Sequence, residues 1–376
     1  MHNNTTRYYC PRVAALLMLG YSSLMQAQGA SFSVLSYGAK GDGVTDDTAA
    51  IVRTIALAGP SGVVVFPAAT YRVTRTIQIA SGQTYQGTDG AILSTTGGYP
   101  ILSSPSNATG ITIDSLTFNG AGIAFPGYGV ASRIQVTNCT FQNILPGNAN
   151  WPSHFGIFIG GAGMTDSQIA SNRFNNILDG GRADAIDRLA GGIIAYNLNR
   201  VSLTGNTFDT VNQAFSLKFE GAGPYYDVLV AANSGNRVHR MGIECQGGNS
   251  FNLIIDGNTF SNFLNPFWNT FGLSIVVNRG TGTIVRNNTL SATPDPPSGG
   301  RYGYGIELSG IGTGAYNNRI SGKFSTGIAI GMSTGINVSG NTLCGDKGTM
   351  LIQNEVGSTS TGATITSNTT ALTCSI

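Results

Sequence analysis

The chain has 376 residues, 53 of them glycine, with 41% hydrophobic and 10% charged, the last against a usual share of about 25%. That much apolar surface excludes a disordered chain, and the scarcity of Lys, Glu and heptad patterns excludes a helical bundle or coiled coil. A formal charge of +2 excludes a general nucleic-acid binder, which needs a clustered basic surface.

Residues 1–29 read as a secretory signal peptide. Arg7 and Arg12 form a basic start, Val13 to Leu24 is an apolar run, and Ala27-Gln28-Gly29 offers a small-x-small cleavage site. The run is too short to span a bilayer, and no later segment is longer and as apolar, so no membrane contact is expected after signal removal. The expected destination is extracellular or periplasmic. Removing the two arginines leaves 18 basic and 18 acidic residues, a formally neutral chain. Export permits a disulfide between Cys344 and Cys374, whereas Cys245 reads as a small core residue. Neither Cys-x-x-Cys nor a paired-His pattern marks a metal site.

Residues 30–75 form a distinct N-terminal segment. A Gly-rich loop leads to Thr45 or Asp46 as the expected N-cap of an amphipathic helix. A strand follows through Val65-Phe66, ended by Pro67. A helix here would cover the exposed first rung of a solenoid.

Residues 76–376 repeat. An Asn closes a short apolar-alternating strand at Asn138, Asn172, Asn206, Asn233, Asn258, Asn288, Asn318, Asn341 and Asn368, at irregular gaps. Between them falls a Gly-apolar-x-apolar motif, starting at Gly156, Gly192, Gly242, Gly272, Gly305 and Gly327, with Ala214 in one rung. Short β units with variable loops fit an all-β parallel solenoid of about ten rungs. A β-propeller repeats at about 40 residues or more and does not fit. The Asn series is structural: Asn tolerates left-handed backbone geometry and can bond a neighbouring turn.

The run Tyr37-Gly38-Ala39-Lys40-Gly41-Asp42-Gly43-Val44-Thr45-Asp46-Asp47-Thr48, with Val65-Phe66-Pro67 and Tyr71, resembles the N-terminal segment of the pectate-lyase-like superfamily. That resemblance implies a right-handed parallel β-helix. The superfamily includes polygalacturonase-type hydrolases, polysaccharide lyases and phage tailspikes, so it specifies fold more than reaction.

Strand alternation then places candidate residues. With the apolar second position inward, the third positions form an outward column: Phe158, Ile194, Ser216, Glu244, Ser274, Glu307 and Ala329. The fifth positions form another: Gly160, Tyr196, Lys218, Gln246, Val276, Ser309 and Gly331. Three of only four Glu in the chain, Glu220, Glu244 and Glu307, lie on or beside these columns. Glu244 and Glu307 stand two rungs apart, about 9.5 Å between backbones. Their carboxyls could then reach the roughly 6.5–9.5 Å separation of an inverting glycosidase pair.

His239 and Arg240 precede the Glu244 strand, at a place like that of the Gly-His-Gly motif of polygalacturonase-type hydrolases. The Asp-Asp motif of those enzymes is replaced by Asn212-Gln213-Ala214, and their Arg-Ile-Lys motif is absent, so their catalytic set does not carry over. The expected function is secreted polysaccharide cleavage, hydrolysis ahead of β-elimination. Glu244 and Glu307 would do acid–base work, assisted by His239 and Lys218. Arg240, Glu220, Gln246, Tyr196, Trp268, Asp187 and Arg188 would contact the glycan. No cofactor is required for hydrolysis. A lyase would use Lys218, His239 or Arg240 as base and clamp, with calcium as an additional option. A noncatalytic glycan-binding or adhesin β-helix is the other class that these features fit.

Overall fold

The computed structural model describes residues 29–145, 154–178, 190–221, 223–248, 250–263, 272–292, 302–345, 351–354 and 357–371. They form a right-handed parallel β-helix with three faces. The first face is a 14-stranded sheet running from Ser31–Ser33 to Thr364–Thr366. The second and third faces run together as 25 strands, because strands such as Thr207–Lys218 and Ser234–Gln246 turn the corner without a break. The second face begins just after each repeated Asn. The third carries the Gly-apolar-x-apolar motif, as in Phe155–Ile159 and Gly191–Tyr196.

Corners use left-handed backbone. At the corner from the third face to the first, Arg133, Asp166, Arg200 and Asp227 have φ of 53°, 51°, 55° and 57°. Arg200 Nε donates to Asp166 Oδ1 at 2.6 Å. Arg133 also acts on Asp166, and Asp227 on Arg200, so charges alternate along this edge.

The repeated Asn series is a ladder, displaced by one residue at its start. Asn172, Asn206, Asn233, Asn258, Asn288, Asn318, Asn341 and Asn368 stack in sequence. In each pair the backbone N–H and Nδ2 of one Asn donate to Oδ1 of the next, as Asn233 does to Asn258 at 3.0 and 2.9 Å. The rung before Asn172 contributes Cys139, whose N–H donates to Asn172 Oδ1 at 2.9 Å. Asn138 is instead the left-handed residue before the ladder position, with φ 55°. Ser171, Ala232, Asn287 and Asn317 share that role. Turning the chain and bonding along the stack are therefore done by adjacent residues.

The core is a column of inward side chains. Phe118, Phe141, Phe174 and Phe208 stack with ring centroids 4.8–5.0 Å apart. This stack explains the glycine of the third-face motif. A Cβ on Gly156 would lie 2.6 Å from the Phe174 ring, and one on Gly192 would lie 2.3 Å from Phe208. The rung with Ala214 in the glycine slot is followed by the rung where Gly235 replaces phenylalanine in the stack.

The helix spans Thr48–Ala58 and buries Ile51 and Ile55 at the first rungs. Its N-cap is Asp47 rather than Thr45 or Asp46. The Asp47 carboxylate points back into the loop, accepting from Lys40 N and Gly41 N at 2.6 and 3.1 Å. Asp46 Oδ1 takes the Thr48 N–H. At the other end Gln83 Nε2 donates to the Ile55 and Gly59 carbonyls, groups a helix terminus leaves unpaired. Cys344 is disulfide-bonded, and Cys374, its expected partner, lies outside the described residues. Cys245 is buried and free.

Candidate active site

Strand pairing fixes the outward column of the third face as Phe158, Ile194, Ser216, Glu244, Val276, Glu307 and Ala329. Glu244 and Glu307 are two rungs apart, with Val276 between them. The expected Ser274 is displaced by two residues: Ile275, not Leu273, pairs with Ile243 and Ile306. Ser274 therefore occupies the glycine slot, and Gly272 pairs with Tyr304 upstream. For the same reason the next column reads Tyr196, Lys218, Gln246 and Asn278.

Toward the N-terminal side this face is apolar. Ala124, Phe155, Phe158 and Ile194 form a small buried cluster separate from the core, with Tyr196 packed against it. Burial, and secondarily the charge of Glu220, raise the Tyr196 hydroxyl above its ordinary value.

The polar centre is one connected network. Glu244 is only 2% exposed. Its Oε2 accepts from Gln213 Nε2 at 2.8 Å and Ser216 Oγ at 3.0 Å, and its Oε1 accepts from Gln246 Nε2 at 2.6 Å. Gln246 Oε1 in turn accepts from Lys218 Nζ at 3.0 Å. A buried carboxylate requires such donors, and two of the three come from the preceding rung, where Ser216 pairs directly with Glu244. Both Gln246 and Lys218 are half-buried, so they form the outer edge of the network. Sequence reasoning did not single out Gln213, which registered only as the absence of an Asp. The signal available was its place one rung before Glu244, three residues ahead of the Ser216 that pairs with it.

The other candidates are dispersed. Glu307 is half-buried in the same column. His239 lies five residues before Glu244 on one strand, about 16 Å of extended chain, at the corner where pairing slips between Val211/Val238 and Gln213/Met241. It is not joined to the Glu244 network, and burial holds its imidazole below the ordinary value. Arg240 shares that irregularity in its backbone. Glu220 is exposed just past the face, where its N–H donates to Asn197 Oδ1. Trp268, Asp187 and Arg188 lie outside the described residues. Among the described residues, no group of three or more His, Cys, Asp or Glu is placed to hold a metal ion.

A groove of about 540 Å³ lies elsewhere, on the outer side of the first face, lined in part by Thr84, Gln86, Thr112, Asp114 and Gln135. Its carboxylate, Asp114, accepts from Thr137 Oγ1 and Asn138 Nδ2. It offers no pair of acids, so the third face remains the candidate.

Known structures share this architecture. PfbA, a surface adhesin of Streptococcus pneumoniae, superposes with a TM-score of 0.69 at 16% identity, over 91% of this chain and 89% of that one. The tailspike of E. coli bacteriophage HK620, solved with a pentasaccharide, gives 0.67 at 12% identity, over 90% of this chain and 66% of the tailspike. No curated protein sequence matches. Among the described residues no helix is long and apolar enough to cross a membrane. The family described as rhamnogalacturonase A/epimerase, pectate lyase-like, matches residues 31–219, half of the sequence, and the chain belongs to it.

Proposed function

We propose that the protein is a secreted enzyme that hydrolyses glycosidic bonds of a polysaccharide lying across the third face. The observation that carries this is the buried Glu244 network, with Glu307 two rungs further along the same outward column. The family and the glycan-bound tailspike fold support a glycan ligand.

The two carboxylates take different parts. Glu244 lies below the surface with both oxygens accepting from amides. A sugar ring cannot reach it, but a water molecule fits the role of its partner, so Glu244 is the base that activates water. Glu307 is less enclosed and is the acid that protonates the leaving oxygen. Their two-rung separation suits an inverting pair. Lys218, Gln246 and Tyr196 line the sugar's path. A noncatalytic glycan-binding β-helix is the second reading, favoured by one fact: both Glu244 oxygens already accept from protein donors.

A polysaccharide panel read for reducing ends and for unsaturated uronide absorbance tests this. Reducing ends without absorbance are expected. Absorbance would identify a lyase. Silence across neutral and acidic glycans, with retention in glycan-containing gels, would establish the binding reading. Glu244→Gln and Glu307→Gln should each lower kcat at least about a hundredfold while the fold persists. Near-normal turnover in both would reject the assignment.

A further inference from the structure

Gln213 carries a feature that its bonding to Glu244 does not explain. Its side chain is 3% exposed. Nε2 uses both protons, donating to the Phe215 carbonyl at 3.0 Å and to Glu244 Oε2 at 2.8 Å. The amide orientation is therefore fixed, because a flip would set its carbonyl against two acceptors. Oε1 is then left buried with no hydrogen-bond partner. Buried acceptors are satisfied in nearly all native structures, and an exception calls for a functional or solvent partner. That partner must be a donor, and it must be small.

Resting on the hydrolytic reading above, we propose that Gln213 is a positioning residue for the attacking water. The water donates one hydrogen to Gln213 Oε1 and the other to Glu244. Glu244 Oε1 accepts only from Gln246 among the described residues, which leaves it a lone pair for this bond. Both acceptors lie in one neighbourhood, since Oε1 belongs to the planar amide whose nitrogen bonds Glu244. With both hydrogens held, the water's free lone pair faces outward to the sugar. In the reaction the water oxygen bonds the anomeric carbon as the bond to the leaving oxygen breaks. The water proton passes to Glu244, and Glu307 gives its proton to the departing oxygen. Fixing a nucleophile in this way acts on the barrier rather than on substrate affinity.

The test is steady-state kinetics of Gln213→Leu on the most readily cleaved glycan of the panel. We expect kcat to fall about 10- to 100-fold with KM within about twofold. A merely structural role would not lower kcat alone in a variant whose fold and KM are unchanged. If the leucine variant does not fold, Gln213→Asn keeps the amide, retracts it by one methylene, and should show the same split in weaker form. Wild-type kcat in a folded variant would overturn the assignment alone. A wild-type protein that releases no sugar from any glycan would overturn the hydrolytic reading, and this assignment with it.

Discussion

Glu244 shows what a carboxylate needs in order to sit inside a sheet. Three donors meet it: Ser216, which pairing brings level with it, Gln213 of the same preceding strand, and Gln246 two residues further along its own. His239 illustrates the opposite solution, since burial disfavours its charged form. Its folded value lies below the unfolded value of 6.5. The folded state thus binds fewer protons between the two values, and stability rises with pH there. Stability is complete above the unfolded value and is lost as pH falls through the folded one. His239→Gln should flatten the dependence of the urea midpoint on pH between about 7.5 and 5. An unchanged slope would refute it. Period-two alternation made the Glu244–Glu307 column legible in the sequence. Burial was not legible, because it depends on loops and on Gln213 and Ser216 arriving from another rung.

At the level of the element, the Asn ladder and the glycine slot set how rungs fit together. Asn258 accepts twice from Asn233 and donates to the Val230 carbonyl and to Asn288. Asn258→Ala should cost on the order of 4 kcal/mol, because it strands several buried polar groups. Asn368→Ala, at the half-buried end of the stack, should cost about 1–2 kcal/mol. Equal losses in denaturant midpoints would contradict the ladder account. Gly192→Ala should cost about 1–3 kcal/mol by pressing on Phe208, and Phe208→Leu should recover part of that loss. The repeat itself was plain in the sequence, but its phase was not. Asn138 and Gly272 fit their motifs by letter and miss them by register, because Cys139 and Ser274 are small enough to take the slots.

Over the whole molecule, stability is a sum over neighbours. The N-terminal end is covered by the helix at Thr48–Ala58. At the other end Ile365 is 47% exposed, whereas Ile113 on the same face is fully buried. Amide exchange should therefore be slowest in the central rungs and fastest toward residues 364–371, with the helix-covered end in between. Uniform protection would reject this gradient. The candidate site lies within the central rungs, so its geometry should outlast fraying of the C-terminal end.

The charged corner adds a constraint on how such a chain can lengthen. Arg133, Asp166, Arg200 and Asp227 alternate in sign along one edge, and like charges placed directly side by side are unfavourable. Losing one of the two inner rungs would set arginine against arginine or aspartate against aspartate. Losing both would keep the pattern. The edge thus works as a parity check on rung number. Deleting one rung here should lower the urea midpoint more than deleting two.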